Sequence, residues 1–104
     1  MTLYEKAVSL NGKHGGNCVE FIKKILGLDD SVSLGNARDM KPNVTEPIVG
    51  DLVLFKGHVG IVIGSYMEEE PILIIAHSNG DWSETVEIFE IPLSDKTIKG
   101  FRRL

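Results

Sequence analysis

Apolar positions follow two periods along the chain. From Leu3 to Leu26 they recur at helical spacing, and from Leu52 onward they alternate or run in short blocks. Leu3, Ala7, Val8 and Leu10 form a stripe over Thr2 to Leu10. Thr2 and Glu5 open it in the pattern of a capping box, which predicts a short first helix. Cys18, Ile22, Ile25 and Leu26 make a second stripe. Asn17 stands at its N-cap with Glu20 at the reciprocal position, Lys23 and Lys24 suit the negative end of the dipole, and Gly27 is a natural C-cap.

Between these stripes Asn11 to Gly16 is a glycine-rich loop. It is a poor phosphate loop, because its lysine precedes the glycines and no strand leads in. Asp29 to Pro47 has little periodicity and predicts a loop with one short helical turn near Ala37 to Met40, either a functional loop or a plain connection. Strands are predicted at Leu52 to Phe55, His58 to Ile63, Ile72 to Ala76, Val86 to Ile91 and around Ile98 to Leu104. Lys56-Gly57 makes a tight turn and Gly64 to Pro71 a polar one. In the second strand Val59, Ile61 and Ile63 share one face, and His58, Gly60 and Val62 the other. Gly60 weakens a strand unless another group comes close to it. The sum is α+β: N-terminal helices packed on a roughly five-stranded antiparallel sheet, in a single domain over residues 1–104.

Charge and cysteine content narrow the function. The formal net charge is −4 and Lys and Arg form no long run, which disfavours nucleic acid and acidic membrane surfaces as partners. A single cysteine excludes an internal disulfide and a cysteine-based zinc site. Met1 to Lys13 carries no secretory signal, and no stretch approaches the ~20 apolar residues of a membrane span.

The cysteine is also the principal chemical candidate. At a helix N-terminus the unpaired N–H groups and the dipole favour thiolate, the attacking form. The competing reading is a small apolar side chain buried under the sheet. His58 opens one strand and His77 ends the next, so a hairpin between them makes the two cross-strand neighbours. Both rings are then expected to point toward the helix that carries Cys18, giving thiol, imidazole and orienting imidazole in chain order. His14, in the preceding loop, is placed to line the same cleft. Structural histidines are the alternative. A metal site at His58 and His77 would need Asp51 or Asp81 to complete it, and Asp51 is better placed to shape a turn.

Four blocks in order carry a family resemblance: Gly16-Asn17-Cys18 with Phe21, Gly50-Asp51-Leu52-Val53-Leu54-Phe55, Gly57-His58-Val59-Gly60-Ile61-Val62, and Ile75-Ala76-His77-Ser78. Over about Asn11 to Val86 the chain resembles the NlpC/P60 and CHAP cysteine peptidases, papain-like hydrolases of the bacterial cell wall. The resemblance implies a papain-like fold with Cys18 as nucleophile, His58 as general base and His77 as the third polar group. Asn79 lies where CHAP proteins often have an asparagine. Asn17-Cys18-Val19-Glu20 is nearer the CHAP style, whereas a histidine at position 77 is nearer NlpC/P60. His14, Gly16, Asn17 and Trp82 are the candidate substrate contacts. No cofactor or metal is implied. The implied partner is a peptidoglycan stem peptide or cross-bridge at the cell wall, reached through a phage virion or tail, another export route or a longer parent protein. Two rival expectations stand beside it: a cysteine amidase or protease acting on a host protein, and an inactive structural module of the same fold.

Overall fold

Each helix opens on a reciprocal cap. In α1 (Leu3–Leu10) the Thr2 hydroxyl accepts the Glu5 N–H while the Glu5 carboxylate accepts the Thr2 N–H. In α2 (Cys18–Leu26) Asn17 and Glu20 do the same, and Gly27 ends the helix in the left-handed conformation at φ 67°. The computed structural model describes residues 1–104 and continues with a short 3-10 helix (Ala37–Asp39). Strands β1 (Leu52–Phe55), β2 (His58–Met67), β3 (Pro71–Ser78), β4 (Val86–Pro92) and β5 (Gly100–Arg102) follow. The architecture is α+β: two helices and one sheet of five antiparallel strands in the order β4-β3-β2-β1-β5. No helix is long and apolar enough to cross a membrane.

The sheet buries both faces. The first core joins Ala7, Phe21, Ile22 and Ile25 of the helices to Leu52, Leu54, Val59, Ile61, Ile63 and Ala76. The second joins Val53, Val62, Leu73, Ile75 and Phe101, with Phe55 and Phe89 packed against it. Helices cover the face bearing Val59, Ile61 and Ile63 because that face offers three large apolar side chains; its opposite offers His58, Gly60 and Val62.

Strand β2 is longer than its hydrophobic pattern predicts. Gly64 to Met67, expected as turn, continues the strand, and the reversal is confined to the glutamates Glu68 to Glu70. Backbone pairing with Ile72, Leu73 and Ile74 holds these exposed residues extended whatever their polarity. The register also shifts at a bulge between Val62 and Gly64. Beyond the bulge Ile61 pairs with Ala76, and the next step sets Gly60 beside His77. Without the extra residue His77 would stand opposite Ile61, on the other face from His58. One inserted residue therefore decides that the two histidines share a face.

Asp51 closes the other end of the chain. Its carboxylate is only 1% exposed, accepts the Ile48 N–H at 2.8 Å, and pairs both oxygens with Arg103 at 2.9 and 2.8 Å. The turn role expected for Asp51 is present, and the pairing with Arg103 adds a tie to the C-terminus.

Candidate active site

Cys18 occupies the first position of α2, half-buried against the first core. Asn17 Oδ1 accepts the N–H groups of Val19 and Glu20, and the Asn17 carbonyl accepts that of Phe21. The Cys18 N–H is left as the first-turn donor with no acceptor. The loop that delivers Cys18 is pinned to the sheet: the buried Ser78 hydroxyl donates to the Gly16 carbonyl at 2.7 Å. A side chain at Gly15 would collide with Ser78 and Val86, so only glycine lets the loop lie this close. Ser78 directly follows His77, which brings the start of α2 to the sheet end where the histidines lie. A cleft of about 700 Å³ opens there, lined by Cys18, by residues 32–38 and by Gly57, the residue before His58.

The two imidazoles are hydrogen-bonded, His58 Nε2 to His77 Nδ1 at 2.8 Å, with the rings edge to face. His77 in turn meets the Phe89 ring edge to face at 4.6 Å, and Phe55 lies 6.1 Å from His58. Gly60 makes room for this: a Cβ there would lie 2.8 Å from Ile75 Cγ2 and 3.5 Å from His77 Cβ. That close approach is what a strand glycine was expected to mark. Burial, with His77 adding a smaller effect, pushes His58 down to about 4. Burial also lowers His77, partly offset by the carboxylate of Asp81. Both rings are therefore neutral at pH 7.

The expected direction of the rings needs correcting. His58 follows the pleat on the side of Val62, and His77 on the side of Leu73 and Ile75, all second-core residues, whereas α2 packs on the first core. The imidazoles thus lie on the face away from α2, and no hydrogen bond joins either to Cys18. Cys18 and the imidazole pair share one end of the sheet through the Ser78–Gly16 bond, but neither histidine lines the cleft of Cys18, which reaches only to Gly57. His58 Nδ1 is the ring nitrogen of His58 that His77 leaves free.

The remaining candidates are dispersed. Asn79 sits at φ 66° and spends its side-chain oxygen on the Glu84 N–H at 3.1 Å, so it shapes the 79–84 loop and bonds neither histidine. Trp82 stands on that loop at φ 68°, 89% exposed. His14 is bridged to Thr85 and lines a separate cleft of about 420 Å³ with Gly16, Lys23 and Lys24, not the one that holds Cys18. Asn17 lines the cysteine cleft and is also its helix cap. Asp51 is committed to Arg103, and Asp81 accepts from Ser83, so neither completes a ligand set with the histidines.

Two features were not legible beforehand. Gly80 packs so closely on His77 that a methyl there would overlap its Cε1. Residues 32–38, from the aperiodic segment, form a wall of the cysteine cleft and bring Arg38 into it. The irregular composition of that segment marked it for attention, but no periodicity could say which of its side chains face the cleft. No protein-family model, curated protein or solved structure matches the chain.

Proposed function

We propose that the protein is a cysteine hydrolase of peptide or amide bonds, papain-like and of the NlpC/P60 and CHAP type, acting on peptidoglycan. The observation that carries this reading is the His58–His77 hydrogen bond at the sheet end where α2 begins with a capped cysteine. Cys18 Sγ attacks the carbonyl carbon of the scissile bond while its proton passes to His58 Nδ1. For that nitrogen to accept, His58 carries its own proton on Nε2 and donates it to His77 Nδ1, which fixes the tautomer of both rings. As His58 becomes cationic, His77 holds the ring by accepting this bond. The oxyanion forms beside the unpaired Cys18 N–H. His58 then protonates the leaving amine as the C–N bond breaks. Water attacks the resulting thioester, gives its proton to His58, and releases the acid as the thiol reforms.

A resting His58 held near 4 is neutral, so it serves as a general base toward an approaching substrate. The step requires Sγ and Nδ1 to come within hydrogen-bond reach. Because the rings lie on the face away from α2, it requires the His58 ring or the start of α2 to move round the sheet end when substrate binds. Digestion of purified cell wall, read by mass spectrometry of the released muropeptides, tests the proposal. Wild type releases defined fragments and Cys18→Ala does not; equal release by both overturns it.

The packing of His58 and His77 against Phe55 and Phe89 favours one rival, a non-catalytic module in which the pair plugs the second core. Iodoacetamide separates the two readings. Rapid alkylation of Cys18 in the folded protein near neutral pH supports the enzyme, and resistance supports the module.

A further inference from the structure

The cysteine cleft carries a charge pattern opposite to that of the chain. The chain has a net charge of −4, yet the charged residues lining the cleft are Lys23, Arg38 and one carboxylate, Glu20. Glu20 is occupied as the cap of α2, accepting the Asn17 N–H at 3.2 Å. Lys23 donates to the Asp30 carbonyl at 2.8 Å. Arg38 has neither a hydrogen bond nor a carboxylate partner, and the chain's ion pair is that of Arg103 with Asp51. Asp39, beside it in sequence, faces a different cavity with Asn36. An exposed guanidinium without a partner, on the lining of the cleft that holds the thiol, is a free fork for a planar anion. Val19, Leu34 and Ala37 line the same cleft and offer apolar contact to the stem of such a ligand.

We propose that this cleft selects peptides bearing a free side-chain or terminal carboxylate next to the reacting carbonyl, with Arg38 as the residue that reads it. The substrate class deepens the hydrolase reading and rests on it. Lys23 contributes its field rather than a bond. A carboxylate fits better than a phosphate, because one free guanidinium with a tethered lysine matches a monoanion more closely than a dianion.

The test uses Cys18→Ser protein, which cannot complete the thiol chemistry, and two short peptides identical except that one carries glutamate and the other glutamine. Amide chemical shifts of residues 17–23 and 32–38 report binding at low salt. The carboxylate peptide is expected to bind about tenfold more tightly, as a charge-assisted bond of this kind implies. Arg38→Gln should bring the two peptides to parity, while Arg38→Lys keeps part of the preference. Arg38 is exposed and unbonded, so both variants should give the wild-type spectrum elsewhere. Equal binding of the two peptides, binding of neither, or a preference that survives Arg38→Gln overturns the proposal. Failure of wall digestion with the carboxylate preference intact would instead overturn the hydrolase and leave the binding site.

Discussion

Cys18 and the imidazole pair are held in place by opposite means. The helix that carries Cys18 is set mainly by residues near it in the chain: Asn17 caps it, Glu20 returns the bond and Gly27 ends it, with Ser78 the one distant tie, on the loop before it. His58 and His77 are 19 residues apart, and their contact depends on a hairpin, a bulge at Val62/Gly64, a missing side chain at Gly60 and the close approach of Gly80. A local device tolerates change elsewhere in the fold. A non-local one fails when any of its several supports is altered, and here the non-local half is the one that tunes chemistry by burying two rings.

The largest effects should come from removing either half. Cys18→Ala and His58→Ala are each expected to lower wall hydrolysis by roughly 10⁴-fold or more, with the double variant little worse than either single one. Additive losses would mean that the two halves do not work as one unit, and the comparison would then describe two unrelated features.

Gly60→Val attacks the non-local half alone. The added side chain meets Ile75, the Ala76 carbonyl and His77, so overpacking should cost about 1–3 kcal/mol in a denaturant melt. The His58 titration should rise from about 4 toward its ordinary value as the ring is displaced and hydrated, followed by histidine NMR. An unchanged titration would show that Gly60 does not position the pair.

Asn17→Ala attacks the local half. Losing the cap should cost about 1 kcal/mol, and the His58–His77 bond should persist by the same NMR measurement. A shift in the imidazole signals would reveal coupling across the sheet end that the hydrogen bonds do not carry.

The smallest effects concern protons. Because folding lowers both histidines, the unfolded chain binds more protons below its ordinary histidine value of 6.5. Stability is therefore full above pH 6.5 and falls as pH drops from there toward about 4. The acid limb of kcat/KM should follow the folded value and lie well below pH 6.5. His77→Gln removes the lesser of the two causes acting on His58, so that limb should move up only slightly. A large move would make His77, rather than burial, the main control.

Helices and strands were legible because their signals are short-range. Both capping boxes, the C-cap at Gly27, the short helical turn at Ala37 and the strand β1 stand where residue pattern alone puts them. That His58 and His77 lie at the same end of neighbouring strands was readable from their places at strand ends; that they bond depends also on the bulge at Val62/Gly64. Gly64 to Met67 did not read as strand, since polar residues held extended by a neighbouring backbone carry no hydrophobic period of their own. The alternation of its strand already sets His58 on the face opposite that of Val59, Ile61 and Ile63, which the helices cover. The face of His77 was out of reach, because it turns on a single bulge residue that leaves no mark in the alternation of one strand.

Thus the sequence by itself determined the capped cysteine helix, the α+β order of elements and the three groups worth examining, because each depends on neighbours along the chain. Only the tertiary structure decided that the rings pack with Phe55 and Phe89 away from α2, that Asn79 and His14 serve other parts of the fold, and that Arg38 enters the cleft of Cys18. Those outcomes depend on register and on the competition between two sheet faces for apolar cover, which is settled by the whole core at once.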